Sequence, residues 1–252
     1  MKTSVSCLLL VLIRCTTVLA QDKSFYQTTT LVLQPNLYSP LTITPLAGTF
    51  VPESFSAIGL QAGLAQNFWL NNFRITLEAS AGVAPYRTDF FIPAGQVAAI
   101  DYLERDYSST DYFMRYSQVC LILGYSKTIT LKQKIIGFTG IGYRRNPDAI
   151  SVGRATYKPS VNSPRVIVYE LTTFTYQQKL NSFTIPLGIS AVYSLSERIE
   201  LNYGIRFTYS PASWFTGVYN FFPNLPEHSY GEVKMQNWYA GIDLGFSWRK
   251  KR

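Results

Sequence analysis

The sequence holds a single histidine, His228, in the stretch LPEHSYGEV beside Glu227, Ser229 and Glu232. These are the parts of a hydrolase, in which a base takes the nucleophile's proton and a third group orients the base. Adjacent loop residues rarely meet that geometry, so the reading is a solvated loop histidine, with no catalytic residue assigned. The acidic stretch 88 to 111, with Asp89, Asp101, Glu104, Asp106 and Asp111, lacks the spacing of a calcium-binding loop. With one cysteine left after residue 20, no multi-cysteine metal site exists. No metal site and no cofactor follow. A second charged set, Arg74, Glu78, Glu200, Arg206 and Asp243, takes its meaning from the segments that carry it.

Those segments alternate strictly. In IELNYGIRFTYS, 199 to 210, Ile199, Leu201, Tyr203, Ile205, Phe207 and Tyr209 share one parity and Glu200, Asn202, Gly204, Arg206, Thr208 and Ser210 the other. A period of two means an extended strand, whose successive side chains leave on opposite sides. The pattern recurs in FRITLEASAGVA (73 to 84), FTIPLGISAVYS (183 to 194) and WYAGIDLGFSW (238 to 248). Weaker copies lie at 56 to 65, 117 to 126 and 134 to 145, with a first one within 28 to 43. In 134 to 145, Ile135 and Ile136 compete for the apolar side, which leaves its phase open.

The composition says which solvent meets the apolar face. Charged residues make up 15% of the chain and aromatics another 15%, where about a quarter charged is usual for a water-bathed domain. The polar parity is mostly Gly, Ser, Thr and Asn rather than Lys and Glu. No run of 18 apolar residues occurs, so membrane crossing by helices is excluded, and if a membrane is involved strands must cross it. About 10 residues suffice for a tilted strand.

The amino-terminal MKTSVSCLLLVLIRCTTVLAQD reads as a secretory signal: Lys2, an apolar stretch from Val5 to Ile13, then Val18 and Ala20 before a cut ahead of Gln21. Residues 1–20 are thus expected to be removed and 21–252 to form one domain. Cys7 and Cys15 leave with the signal, so Cys120 has no disulfide partner. The remaining basic excess is dispersed apart from the terminal Arg249, Lys250, Lys251 and Arg252. Nucleic acid is not an expected partner, because that role wants a basic patch on one face.

From the second strand onward the connections alternate between short (66 to 72, 128 to 131, 196 to 198) and long (88 to 111, 146 to 173, 211 to 235), with 44 to 53 a fourth long one. Transmembrane barrels sort their loops this way. The fold expected is all-β: an eight-stranded antiparallel up-and-down transmembrane β-barrel with short periplasmic turns, long outer loops and both termini periplasmic. Eight strands leave room inside for side chains and none for a channel. Arg74, Glu78, Glu200, Arg206 and Asp243 are then a mutually neutralising plug, since a buried charge is tolerable only when paired. Phe73, Tyr125, Tyr193 and Trp248 fall near one set of strand ends and Tyr143, Tyr209 and Trp238 near the other, as interfacial girdles would.

The Ala20-Gln21 junction, the strand-turn-strand FTIPLGISAVYSLSERIELNYGIRF (183 to 207) and the closing strand WYAGIDLGFSW (238 to 248) resemble the small outer-membrane β-barrels of the Bacteroidota, the OmpX-like and PorT-like superfamily. One departure is that Trp248 is followed by RKKR rather than ending the chain. The resemblance implies an integral outer-membrane protein. Its partners would be membrane lipids, including the lipopolysaccharide leaflet, and the insertion machinery during biogenesis. It also implies roles ranging from surface barrels to a PorT-type accessory of type IX secretion and gliding. A lipid A-modifying enzyme is disfavoured, because the deacylase pattern of His, one spacer and Ser is absent. A soluble lipocalin-type barrel is a further rival. The reading adopted is a non-enzymatic surface or envelope protein. Its candidate protein-contact residues are the loop aromatics Trp214, Phe215, Tyr219, Phe221 and Phe222.

Overall fold

The computed structural model describes residues 25–48, 51, 53–90, 108–146, 151–157, 169–176, 181–214, 216–221, 228–235 and 238–249. The proposed leader, 1–20, and the basic residues 250–252 lie outside the described residues. In chain order the strands are β1 (Phe25–Tyr38), β2 (Leu41–Ala47), β3 (Glu53–Phe55), β4 (Ala57–Leu70), β5 (Phe73–Phe90), β6 (Ser108–Thr130) and β7 (Gln133–Arg145). Then come β8 (Ser151–Tyr157), β9 (Tyr169–Tyr176), β10 (Asn181–Ser194), β11 (Ile199–Tyr209), β12 (Thr216–Phe221), β13 (Ser229–Met235) and β14 (Trp238–Arg249).

Eight of these close on themselves. The ladder runs β5-β4-β1-β14-β11-β10-β7-β6, and β6 pairs back onto β5, every step antiparallel. The protein is therefore all-β, with a closed eight-stranded antiparallel barrel and no helix among the described residues. Closure leaves the wall without an edge, so its backbone donors and acceptors are satisfied within it.

At one end the strands join tightly, through 71–72, 131–132 and 195–198. Asn71 takes φ 53° there, a left-handed conformation that asparagine tolerates better than most side chains. At the other end the connections are long, and the structure corrects the expectation that they are plain loops. β5 and β6 stay paired from Phe73↔Tyr125 out to Phe90↔Ser108. At about 3.4 Å per residue the 23 residues of β6 reach far past a hydrocarbon slab. The 88 to 111 stretch is thus partly the tip of a hairpin, while 91–107 lie outside the described residues. Strands from the other long connections form a second, five-stranded sheet, β2-β13-β12-β9-β8.

The first strand also differs from the expected single span within 28 to 43. β1 stops at Tyr38, and the chain resumes at Leu41 as the edge of the second sheet. Pro40, between them, has no N–H to donate to a ladder.

Register fixes the phase left open at 134 to 145. Ile136 lies opposite Ser126 on one side and Ser190 on the other, both of them buried. Ile136 is 0% exposed and Ile135 40%. All the barrel strands then agree, and the outer wall is an apolar belt. One row across three strands is Ile189↔Ile205↔Ile242, each member exposed. Toward the turn end Phe73 and Tyr125 meet edge to face at 5.4 Å. Toward the loop end Tyr143 packs on Phe183 at 6.2 Å and Phe207 on Trp238 at 5.7 Å.

Candidate functional site

The interior is layered along the barrel axis. At the turn end Trp69, Ile136 and Val192 form an apolar cluster with Tyr26 against it, the Tyr26 and Trp69 rings stacked at 5.5 Å. Cations border this layer: Arg249 lies 4.2 Å from the Tyr26 ring centroid and Lys134 5.2 Å from that of Trp69.

The middle layer is ionic. Arg206 places Nη1 and Nη2 on the two oxygens of Glu78 at 2.8 and 2.9 Å, and Nε on Asp243 Oδ2 at 3.0 Å. The other oxygen of Asp243 accepts from Gln34 Nε2 at 2.5 Å. These groups come from β11, β5, β14 and β1, so the ion pair ties together strands far apart in sequence. Forked contact with one carboxylate and a third bond to another is geometry that suits guanidinium. Arg74 stands slightly apart, 5.6 Å from the Trp69 ring. With Glu78, Arg206 and Asp243 it lines a cavity of about 50 Å³. That volume suits bridging water and no larger solute.

The loop-end layer is aromatic. Tyr38 and Tyr116 share a hydrogen bond of 2.7 Å, and Tyr116 donates to Gln61 Oε1 at 2.8 Å. Tyr38 stacks on Tyr239 at 5.1 Å. Trp214, on the stretch between β11 and β12, closes over them with its ring 3.8 Å from the Arg144 guanidinium carbon. Arg144 is completely buried and donates to Gln118 Oε1 from Nε at 3.1 Å and Nη2 at 2.7 Å, and to Tyr239 Oη from Nη2 at 2.9 Å.

Large interior side chains fit because glycine stands beside them. A Cβ on Gly82 would lie 2.6 Å from the Tyr116 ring and hydroxyl, and one on Gly188 2.7 Å from Phe138. Gly82→Leu is expected to push Tyr116 off Tyr38 and Gln61 and to cost about 1–3 kcal/mol. Urea unfolding in vesicles measures it, and an unchanged midpoint would show that the tyrosine layer is loosely packed.

Of the five charged residues expected to form a plug, the structure brings Arg206, Glu78 and Asp243 into contact, with Arg74 on the same cavity. Glu200 goes elsewhere, accepting from Arg249 Nη2 at 2.8 Å near the turn end. The interior is also less uniformly small and polar than the alternation suggested, since Ile136, Phe138, Trp69 and four loop-end aromatics fill it. The loop aromatics need a correction too. Trp214 is 1% exposed and Tyr219 0%, so neither offers an open contact surface. Trp214 caps the lumen, and burial pushes the Tyr219 hydroxyl above the usual tyrosine range. Phe215, Phe222 and the side chain of Phe221 lie outside the described residues. His228 has an amide and a ring as its described neighbours, Asn220 Oδ1 at 3.5 Å and Tyr230 at 5.2 Å. No metal-binding cluster occurs among the described residues.

Sequence reasoning missed Arg144, Tyr38, Tyr116 and Tyr239. One signal was available: on the inward parity of 238 to 248, Tyr239 is the one large residue among Gly241, Asp243, Gly245 and Ser247.

A wall closed by hydrogen bonds, apolar outside and charged within, defines a β-barrel built to span a membrane. Water outside would leave contiguous rows of leucine, isoleucine and phenylalanine exposed, which monomeric soluble proteins avoid. No family model matches the chain, and no curated protein matches it. Among solved structures, the outer membrane protein OprG of Pseudomonas aeruginosa is similar at 12% identity and TM-score 0.49, covering 91% of this chain and 97% of that one. A major outer membrane protein of Thermus thermophilus is similar at 12% identity and TM-score 0.42, with 89% and 99% covered. Neisserial surface protein A is similar at 11% identity and TM-score 0.38, with 88% and 97% covered.

Proposed function

We propose that this chain is an integral outer-membrane β-barrel with a closed lumen, non-enzymatic, whose work is done by the sheet and hairpin at its loop end. The observation that carries this reading is the filled interior: the Arg206 ion pair and the Trp214 cap leave an internal cavity of about 50 Å³ beside the charges. A barrel whose lumen is filled, and whose described residues hold no catalytic constellation, has its loop end left to act with. Rigid scaffolds commonly present function on such connections. In this reading the tight turns and both termini face the periplasm, and the five-stranded sheet faces outward toward the lipopolysaccharide headgroups and a protein partner.

The purified protein reconstituted in planar bilayers is expected to give no steady conductance steps. Regular steps would end the closed-lumen reading. Membrane fractionation with heat-modifiable gel migration tests the location, and release by carbonate or urea washing would favour a soluble barrel. The motifs at 183 to 207 and 238 to 248 keep a PorT-like role in type IX secretion as the alternative. Loss of secretion or gliding on gene deletion would select it over a surface role.

A further inference from the structure

The two innermost arginines of the lumen are treated differently. Arg206 meets two carboxylates, whereas Arg144 meets none among the described residues: its described acceptors are the neutral Gln118 and Tyr239. Arginine stays charged in proteins, and a buried charge without an opposite partner costs several kcal/mol. Arg74, also short of direct partners, shares its cavity with Glu78 and Asp243, where water can bridge. Arg144 has no described carboxylate to bridge to.

Its Nη1 is buried with no hydrogen-bond partner. Other donors around it are in the same condition. Ser182 lies directly opposite Arg144 in the β7–β10 ladder, Asn146 is the next inward residue along the chain, and Trp214 stacks on the guanidinium. The Ser182 hydroxyl, the Asn146 amide and Trp214 Nε1 are all buried and unpartnered. A fixed positive charge with unused donors at neighbouring positions, Asn146 Nδ2 among them although its Oδ1 is unused too, is complementary to an oxyanion. Aromatic faces lie on the guanidinium at 3.8 Å from Trp214 and 4.4 Å from Tyr116. Nε and Nη2 are taken by Gln118 and Tyr239, so Nη1 alone is left for an acceptor, one oxygen of a small carboxylate.

We propose that the loop-end layer binds a small carboxylate anion on Arg144 Nη1, with Trp214 Nε1, Asn146 and Ser182 as supporting donors. Arg144 and Trp214 are both shielded from solvent, so the anion enters by displacing the Trp214 ring from the guanidinium.

The test is urea unfolding of the full, vesicle-inserted protein with sodium acetate replacing sodium chloride at constant ionic strength, with phosphate as a second arm. At about ten times its dissociation constant, acetate is expected to raise the folded-to-unfolded ratio roughly tenfold. Arg144→Gln is expected to abolish that gain, and Arg198→Gln, on an exposed turn, to leave it intact. Trp214→Phe keeps the ring and removes the indole donor, so it is expected to weaken acetate binding several-fold, and it decides the matter if Arg144→Gln does not fold. An acetate-insensitive midpoint, an equal response to phosphate, or an unchanged response in Trp214→Phe would each overturn the proposal.

Discussion

Arg206→Met is expected to lower the folding free energy by about 3–5 kcal/mol, because it strands two carboxylates inside the barrel. Glu78 and Asp243 together use all three of the arginine's bonding nitrogens, and both side chains are almost wholly shielded from solvent. Losing the cation leaves the layer with Arg74 alone against two acids. The loss is therefore chiefly electrostatic, and charge balance should restore part of it. Pairing Arg206→Met with Asp243→Asn leaves Arg74 facing Glu78, one charge against one. This double variant is expected to unfold at a higher urea concentration than the single. A double variant no more stable than Arg206→Met would show that packing of the arginine stem, rather than its charge, holds the layer. Added salt should change the single variant's deficit little, since buried pairs are poorly screened.

The second large effect separates two apolar surfaces that look alike. Ile205 on β11 is 68% exposed and Leu46 on β2 is 58% exposed. Ile205 sits mid-strand in the row with Ile189 and Ile242, so its surroundings should be acyl chains. Leu46 belongs to the second sheet beyond the wall, where water should surround it. Ile205→Arg is expected to cost about 2–4 kcal/mol on insertion into vesicles. Leu46→Arg is expected to stay within about 0.5 kcal/mol. Equal costs at the two positions would contradict the placement of the belt in lipid.

The barrel strands were legible because their signal is local. At 199 to 210 or 238 to 248 one side chain after another announces its face, and the two-residue period needs no partner to be read. The phase of 134 to 145 was not legible, because Ile135 and Ile136 satisfy the pattern equally well. Only pairing with Ser126 and Ser190 on neighbouring strands decides which one turns inward. The five charges could be assigned to one side from parity. Their pairing could not, because the partner is set by depth in the wall, and Glu200 lies at the depth of Arg249, six residues from Arg206 along β11. The loop-end strands were hidden for another reason. β2, β12 and β13 are only 7, 6 and 7 residues long, so their alternation is too brief to stand out. Trp214 and Tyr219 read as exposed loop aromatics, but the first is buried on the lumen's Arg144 and tyrosines and the second lies buried on a strand of the second sheet.

The first and last wall strands meet at β1–β14, and just beyond it the strands that adjoin them meet again as β2–β13. The cylinder is thus zipped along one line by two successive ladders, each joining a strand before residue 48 to one after residue 228. Neither can form before β13 and β14 are available, which makes this line a late step of assembly and the rest of the wall a template waiting for it. A circular permutant opened at a turn such as 131–132 would carry that line within one continuous stretch, turning the slowest contact of the natural chain into an early one.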